Sequence, residues 1–350
     1  MALAALKHVR IAGVASAVPK QVVSNTDYSV IPEEQLAKII KYTGIRYRRW
    51  APKELCCSDL CQASAERLLE DLSWKREDIS VVVFVSQTAD YPFPATAQIL
   101  QERLGLPKSC LAFDVNLGCS GYTYGLFVLG SLLEATGLKR GLLLAGDVSK
   151  MHGDCDPASA LLFGHAGSAT AMENARDTKP IYFEMGSDGG GFKVIYVPAG
   201  GCRNPVGANS FQKETLESGG SRGATDVVLD GAEIMNFTMR EVPVSIKRLV
   251  EYAGRSVTDI DAYVFHQANL FINTQVARKI GIKADQTPTT LYDFGNTSSA
   301  TIPLTITAQL RDRIAANSMR VVMSGFGVGL SWASTYWDTE NVVCPELVEV

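Results

Sequence analysis

The sequence predicts an α/β fold made of two similar halves. Short apolar runs rich in β-branched residues alternate with longer segments of helical periodicity, as where ISVVVFVSQT precedes ATAQILQERLGL. The strand-like runs are apolar without alternation, which is typical of sheets covered by helices on both faces. Segments of the first half also reappear in the same order in the second half.

The repeat is clearest in two helix–strand segments. ERLLEDLSWKREDISVVVFVSQ and KRLVEYAGRSVTDIDAYVFHQA align without a gap, and Arg67 and Arg248 are 181 residues apart in this alignment. Three shorter matches follow in order: LGL with IGI, LGCSG with FGNTS, and LLLAG with VVMSG. Four ordered matches predict a duplicated unit, with one copy in residues 1–175 and the other in 176–350. No linker rich in proline and glycine separates them, so we expect one packed body.

The predicted elements follow from the same patterns along the chain. Six runs are predicted as strands: VRIAGVASAV, ISVVVFVSQT, CLAFDVN, GLLLAGDV, AYVFHQAN and RVVMSGFG. Helical periodicity marks DLCQASAERLLEDL, ATAQILQERLGL, LFVLGSLLEATG, FTMREVPVSIKRLVEYAG and PLTITAQLRDRIAA. The glycine-rich GSDGGGFKVIYVPAGG and the polar run after it, to residue 226, follow neither pattern. The polar run, residues 202–226, predicts a mobile loop or lid.

Composition limits the partners and the location. The 350 residues are 46% hydrophobic and 20% charged, with a net charge of −4, which is ordinary for a soluble globular protein. No basic surplus predicts binding to nucleic acid or to an anionic membrane. No apolar run reaches the ~18 residues that span a bilayer. The segment MALAALKHVRIAGV is predicted to lead into a first strand and is not predicted to be a signal peptide. We expect a cytoplasmic protein with neither of these partners.

The eight cysteines are predicted to be reduced thiols, since the chain carries no secretion signal. Cys56, Cys57 and Cys61 cluster, but no histidine lies near them and no second pair follows at zinc-ligand spacing. We expect them to pack on a helix face, and we predict neither a metal nor a cofactor.

Cys119 lies between a glycine and a serine, where a predicted strand gives way to a helix. Free N–H groups at a helix N-terminus favour a thiolate, and a nearby histidine would lower the pKa of Cys119 further. Gly118 permits the sharp turn that this placement requires. The setting suits a nucleophile; a buried structural cysteine is the alternative.

Two polar residues of the second half are predicted to converge with Cys119. His266 directly follows a predicted strand, a position that favours a polar group pointing into a cleft. Asn296 stands opposite Cys119 in the repeat alignment, although asparagine also suits a helix N-cap. Equivalent strand ends of two copies meet near a pseudo-twofold axis, so these residues can share one site. SGFGVGLSW could supply backbone N–H groups as an oxyanion hole, or form a turn.

Six motifs together resemble the β-ketoacyl-acyl-carrier-protein synthase III family, which has the thiolase fold. In order along nearly the whole chain they are TGIRYRRW, DVNLGCSGYTYGL, FGHAGSA, FHQANLFI, FGNTSSATIP and GFGVGLSWAS. The resemblance implies a thiolase-like, internally duplicated body of five layers, α/β/α/β/α, that forms a homodimer.

The resemblance also implies a reaction. Cys119 would take an acyl group from a thioester donor, either an acyl-CoA or an acyl-acyl-carrier protein. His266 and Asn296 would hydrogen-bond the carbonyl of malonyl-acyl-carrier protein, because decarboxylation leaves an enolate whose oxygen two donors can stabilise. The carbanion would attack the acyl group on Cys119 and give a β-ketoacyl product, as in fatty acid biosynthesis.

Further residues receive roles from the same resemblance. The backbone N–H groups of Cys119 and Val328 would form the oxyanion hole for the acyl group. Phe326 would pack beside the malonyl carboxylate. Phe93 would reach across the homodimer and line the acyl pocket of the partner subunit.

The chain departs from the family where CoA is usually held. Lys38 and Tyr42 stand in the segment where the family stacks the adenine between tryptophan and arginine, and Phe271 stands where an arginine often follows HQANL. Lysine does not reproduce the planar stacking and paired hydrogen bonds of arginine. We therefore expect an altered donor: an acyl-acyl-carrier protein, or CoA held differently.

A basic cluster could steer an acidic carrier protein. It comprises Arg278 and Lys279, with Arg248, Arg240 and Lys247 nearby. An ordinary charged helix face is the alternative reading.

Two other functions stay open at this stage. Some relatives pass the acyl group to an amine or a hydroxyl instead of a carbanion, and the retained His266–Asn296 pair favours condensation without excluding such transfer. A catalytically inactive homologue that serves as a binding subunit is the other; the complete set of Cys119, His266 and Asn296 argues against it.

Overall fold

Two sheets and the helices around them form the structure, a computed structural model that describes residues 2–149, 155–217 and 219–350. Its strands are β1 Ala2–Leu6, β2 Val9–Val18, β3 Val22–Ser24, β4 Tyr47–Arg49, β5 Ile79–Val85, β6 Leu111–Val115, β7 Arg140–Asp147, β8 Ala166–Asn174, β9 Ile181–Ser187, β10 Ile195–Tyr196, β11 Glu214–Thr215, β12 Ser221–Arg222, β13 Val228–Leu229, β14 Ala262–Phe265, β15 Arg320–Gly327, β16 Ser331–Asp338 and β17 Val348–Glu349. Its helices are α1 Glu33–Thr43, α2 Cys57–Asp71, α3 Thr96–Arg103, α4 Gly121–Thr136, α5 Pro157–Ala160, α6 Gly231–Tyr252, α7 Leu270–Ile280, α8 Leu291–Phe294, α9 Thr301–Thr305 and α10 Arg311–Ala316. A π-helical turn, Ile306–Leu310, joins α9 to α10.

The two large sheets share one topology. The six-stranded sheet has the order β17-β2-β8-β7-β5-β6, and the five-stranded sheet has the order β1-β9-β16-β15-β14. In both, two antiparallel pairings are followed by a parallel one: β2–β8–β7–β5 in the first and β9–β16–β15–β14 in the second. Equivalent 3-10 turns, Arg76–Asp78 and Val257–Asp259, precede β5 and β14. The predicted internal duplication is confirmed.

The ends of the chain cross between the sheets. β1 pairs with β9 in the second sheet, and β17 pairs with β2 in the first. Between these ends, the chain passes from one sheet to the other near residue 175, after β8. The division into halves 1–175 and 176–350 stays a prediction.

Helices lie outside and between the sheets in five layers. The central layer holds α4 and the α9–α10 segment, whose apolar residues, Leu129 and Ile306 among them, pack against both sheets. Helices α2 and α3 cover the outer face of the first sheet, and α6 and α7 cover that of the second. Successive strand residues face opposite layers, since Val83 packs centrally and Phe84 outwards. Each large side chain buried in this way contributes about 2–3 kcal/mol.

The predicted lid has little regular structure. Within the described part of residues 188–230, β10 pairs with β13 and β11 with β12. Arg222 forms an ion pair with the buried Asp156 at 3.5 Å, and the Ser221 N–H donates to the Cys155 carbonyl at 3.0 Å. These contacts attach the segment to α5, and its mobility stays a prediction. In the segments that the structure describes, no helix is both long and apolar enough to cross a membrane.

Strand β15 touches the start of α4 through a glycine. A Cβ added at Gly325 would lie 2.8 Å from the Cys119 carbonyl oxygen and 2.9 Å from the Ser120 Cα. Both are backbone atoms, so no side-chain rotation can relieve the contact. This approach brings the loop of Cys119, from the first half, against the sheet of the second half.

We therefore expect Gly325→Ala to lower the free energy of unfolding by about 1–3 kcal/mol, because overpacking forces the backbones apart. Gly201→Ala is the matched control, since a Cβ there would meet nothing within 4 Å. Urea unfolding measures both; equal stability of the two variants would contradict the close contact.

Candidate active site

Cys119 precedes α4 and lines a cavity of about 760 Å³. The same cavity is lined by His266, Asn296, Phe326 and Val328, which come from the other half of the chain. Cys119 itself is only 7% exposed. The three residues predicted to carry the chemistry are therefore brought to one enclosed space.

The expectation of a stabilised Cys119 thiolate is wrong for the free protein. Burial, with a smaller contribution from the charge of Asp147, raises the pKa of the Cys119 thiol to about 11. The backbone N–H groups of Val328 and Cys119 lower the pKa by less. Desolvation outweighs these donors because a thiolate in an enclosed site loses its hydration. The resting group is a thiol, and a base must take its proton before it attacks a thioester.

His266 follows β14 and is neutral in this site. Its ring is buried, and its backbone N–H donates to the Ser324 carbonyl at 2.7 Å. Burial lowers the pKa of His266 to about 3, against a smaller opposing contribution from the Ser298 backbone. The edge of its ring meets Phe326 at a centroid distance of 5.6 Å. A neutral imidazole has one N–H and one lone pair, so it can act as a base or as a donor.

The Thr301 hydroxyl lies against the Nδ1 nitrogen of the His266 ring. The His266 Nδ1 is 2.8 Å from the Thr301 Oγ1, which in turn lies 2.9 Å from the Ser298 carbonyl oxygen. If the hydroxyl donates to the carbonyl, it accepts from Nδ1–H and leaves a lone pair on Nε2. If it donates to Nδ1, Nε2 carries the proton. The hydroxyl thus supports either tautomer.

Asn296 lies between α8 and α9, and its backbone forms an isolated parallel β-bridge with Phe163. The Oδ1 of Asn296 accepts the Ser298 N–H at 2.9 Å. The amide NH₂ is therefore the group left for the cavity, and Nδ2 lies 3.5 Å from the His266 Nε2. Two nitrogens that can donate hydrogen bonds face the same space beside Cys119.

Comparisons with known proteins identify this architecture. Residues 113–189 match the family model described as 3-Oxoacyl-[acyl-carrier-protein (ACP)] synthase III, and residues 250–339 match the model of its C-terminal part. A beta-ketoacyl-[acyl-carrier-protein] synthase III of Staphylococcus epidermidis is 32% identical over 93% of this chain and 97% of its own. The chain belongs to the 3-oxoacyl-acyl-carrier-protein synthase III family. A relative from Clostridium acetobutylicum with the same description is also 32% identical, over 94% of this chain and 98% of its own.

Solved structures of the synthase III family have the same fold. A 3-oxoacyl-(acyl-carrier protein) synthase from Burkholderia xenovorans LB400 superposes with a TM-score of 0.94 at 39% identity, covering 100% of this chain and 99% of that one. The priming β-ketosynthase of the R1128 polyketide pathway, at 24% identity, TM-score 0.82 and coverage of 97% and 98%, shares the fold. The predicted family and its thiolase-like fold are confirmed.

The predicted oxyanion-hole residues of this family member lie at the thiol. The N–H groups of Val328 and Cys119 are near enough to lower the pKa of Cys119. Ser331 Oγ donates to the Val328 carbonyl at 2.7 Å and lies 2.7 Å from the Ser120 Oγ. These contacts link the loop of Val328 to Ser120, the residue after Cys119. Their role toward a substrate stays a prediction.

Phe93 does not line the cavity of its own chain. Its side chain is 86% exposed and is accessible to another molecule. The exposure is compatible with the predicted place in the partner's pocket, and that placement stays a prediction.

The basic cluster lies on the exposed faces of α6 and α7. Arg278, Lys279 and Arg248 are exposed, and the Lys279 Nζ donates to the Met239 carbonyl at 2.8 Å. Burial raises the pKa of the Glu184 carboxyl and the charge of Arg248 opposes this rise, so Arg248 has an electrostatic partner inside the protein. Contact of this cluster with a carrier protein stays a prediction.

The departures from the family lie together at the exposed edge of the cavity. Tyr42 lines the cavity and stacks on Phe271, with ring centroids 4.7 Å apart and planes at 25°. Lys38 is paired with Glu34 at 2.7 Å on the surface. An aromatic pair thus occupies the edge where the family often has an arginine.

Sequence reasoning missed Ser298, Thr301 and Asp147. The first two stand in the FGNTSSATIP motif, where four hydroxyl residues follow Asn296, and that density was the available signal. Asp147 ends β7 and gives no local signal. The part of the chain that the structure describes holds no group of three or more potential metal ligands. Cys57 and Cys61 pack on α2 with their sulfurs 3.9 Å apart.

Alkylation of Cys119 by iodoacetamide should rise about tenfold per pH unit between pH 7 and 10, because only the thiolate reacts. With a pKa of about 11, the thiolate fraction grows throughout this range and levels off only above it. Peptide mass spectrometry follows the Cys119 peptide, with Cys119→Ala as background. A plateau near pH 7 would contradict the buried thiol.

Proposed function

We propose that this protein is a condensing acyltransferase of the β-ketoacyl-acyl-carrier-protein synthase III type. It moves an acyl group from a thioester donor to Cys119 and condenses it with malonyl-acyl-carrier protein. The observation that carries the proposal is the pair of cavity-facing nitrogens, Asn296 Nδ2 and His266 Nε2, 3.5 Å apart. Acyl transfer to Cys119 already has donors for its oxyanion in the N–H groups of Cys119 and Val328, so this second pair of donors is left for an enolate oxygen.

In the first step the Cys119 sulfur attacks the thioester carbonyl of the donor. Since burial keeps Cys119 a thiol, the neutral His266 takes its proton through Nε2. The N–H groups of Cys119 and Val328 stabilise the oxyanion. The donor's sulfur then leaves, takes the proton from His266, and departs as a free thiol. Cys119 retains the acyl group.

Before the second step the neutral imidazole changes tautomer: its proton moves from Nδ1 to Nε2, and the Thr301 hydroxyl then donates to Nδ1 instead of accepting from it. A malonyl thioester places its carbonyl oxygen between His266 Nε2–H and Asn296 Nδ2–H. The bond between the malonyl methylene and the carboxylate breaks, CO₂ leaves, and the electron pair becomes the enolate. One such donor is worth about 3–4 kcal/mol in other enzymes. The Phe326 ring beside His266 makes the surroundings apolar, which disfavours the carboxylate relative to CO₂. The carbanion attacks the acyl carbonyl, and the bond from that carbon to the Cys119 sulfur breaks. The released thiolate takes a proton from solvent and becomes the thiol again.

Several finer statements belong to the same proposal. The Tyr42–Phe271 pair favours a donor that is an acyl-acyl-carrier protein, or CoA held without arginine contacts. Phe93 completes the pocket of the partner in a homodimer, and Arg278, Lys279 and Arg248 meet the acidic carrier protein. Location in the cytoplasm, a place in fatty acid biosynthesis, and the lack of nucleic-acid and membrane partners stay predictions.

Intact-protein mass spectrometry tests the proposal. The wild type and Cys119→Ala are mixed with acyl-CoA and acyl-carrier thioesters, and malonyl-carrier protein is then added. We expect an acyl mass gain on the wild type alone, which malonyl-carrier protein discharges with release of CO₂ and a β-ketoacyl product. Loading that malonyl-carrier protein cannot discharge would point to transfer to an amine or a hydroxyl. No loading from any donor would refute the nucleophile.

Thr301→Val should slow condensation by about tenfold to a hundredfold, because it leaves the buried Nδ1 of His266 without a partner. Valine has nearly the shape of threonine, so the effect reports the lost hydroxyl. Single-turnover release of CO₂ from preloaded acyl-enzyme measures it. Thr307→Val, which removes a buried hydroxyl bonded to Ser16 away from the cavity, is the control. Equal rates in both variants would mean that the Thr301 hydroxyl has no part in setting the tautomer.

A further inference from the structure

Ser298 has an unusual backbone conformation next to the site. Its φ is +54°, in the left-handed region that residues other than glycine seldom adopt. Such residues concentrate where the surrounding structure holds the backbone for a functional reason. Ser298 lines the cavity together with Cys119, His266 and Asn296.

We propose that Ser298 is a positioning residue whose left-handed backbone orients Asn296 and His266 at once. The proposal rests on the function proposed above and names a residue that this function requires. It concerns the backbone of Ser298, and assigns no contact between Ser298 and substrate.

The two polar groups of the Ser298 backbone reach the two donors separately. Its N–H donates to the Asn296 Oδ1 at 2.9 Å, which fixes the amide so that its NH₂ is left for the cavity. Its carbonyl lies 2.9 Å from the Thr301 Oγ1, and that oxygen lies 2.8 Å from the His266 Nδ1. One residue therefore sets the direction of both side chains, and rotation of its φ would move both.

The side chain of Ser298 faces the other half of the protein. Burial raises the pKa of the Asp147 carboxyl, and a hydrogen bond from the Ser298 side chain opposes this rise, so the two residues lie close together. The Asp147 Oδ1 accepts from the Ser86 hydroxyl at 2.9 Å and from the Gln87 N–H at 2.8 Å, which anchors it in the first sheet. Ser298 thus lies where the two halves meet. Its side chain contacts Asp147 of the first half, and its backbone contacts Asn296 and Thr301 of the second.

The proposal predicts an order of condensation rates among variants of Ser298. Glycine adopts a positive φ without strain, so Ser298→Gly keeps both backbone contacts although it removes the hydroxyl. Alanine keeps the strained Cβ of serine but loses the hydroxyl that bonds Asp147 and helps to hold the positive φ, and a β-branched residue is disfavoured more strongly. Condensation should stay within about threefold of wild type in Ser298→Gly, fall about tenfold in Ser298→Ala, and fall further in Ser298→Val.

Loading of Cys119 should fall less than condensation in Ser298→Ala, because loading uses His266 alone and condensation uses both donors. Ser299→Ala removes a neighbouring buried hydroxyl from a residue without a positive φ, and serves as the matched control. Intact mass measures loading, and CO₂ release from preloaded enzyme measures condensation. Melting curves identify any variant that has lost its fold.

A readout independent of activity separates this inference from the proposed function. The chain has four histidines, so ¹⁵N-histidine NMR resolves His266, assigned by its loss in His266→Gln. Its ring signals should match wild type in Ser298→Gly and shift in Ser298→Ala. If the wild type fails to condense but these shifts appear, the function is wrong and the positioning role holds. If Ser298→Gly and Ser298→Ala give the same His266 ring signals, the inference is overturned. Equal condensation rates in the two variants, where condensation occurs, would overturn it as well.

Discussion

The contact between β15 and the loop before α4 is the constraint on which the site depends. Gly325 allows the second sheet to reach the backbone of Cys119 and Ser120, because any side chain there would meet backbone atoms within 3 Å. Cys119 comes from one half and Val328 from the other, so the proposed oxyanion hole needs both halves packed together. The central helices α4 and α9–α10 hold this geometry through the core that both sheets share.

Burial then determines the charge of the reacting groups. It raises the pKa of Cys119 to about 11 and lowers that of His266 to about 3, so both are neutral at ordinary pH. A pre-formed ion pair would suit attack on a thioester, but a neutral imidazole suits hydrogen bonding to an enolate oxygen. The enclosed site therefore favours the condensation step, and the acylation step must transfer a proton to proceed. Thr301 and Ser298 carry out the local positioning that both steps require.

Much of the fold could be predicted because the signal was local. VRIAGVASAV and RVVMSGFG are strands β2 and β15 as predicted, since β-branched runs mark buried strands. Strands β8 and β16 were missed because they are rich in small and polar residues. Close packing in the folded protein requires small residues there: a Cβ at Gly167 in β8 would lie 2.6 Å from the Leu60 Cβ of α2. The exchange of β1 and β17 between the sheets also has no local signal, because pairing partners lie far along the chain.

The sequence by itself determined the family and the duplicated α/β body, and it predicted Cys119, His266 and Asn296 as the site residues. Motifs and internal repeats can be recognised from the order of residues alone. Only the tertiary structure decided the protonation of these groups, since a pKa depends on burial by residues from every layer. It also decided that Ser298 and Thr301 orient the donors, and that Asp147 lies beside Ser298 although they are far apart in sequence. Hydroxyl and carboxyl residues are common along any chain, and only packing shows which of them meet.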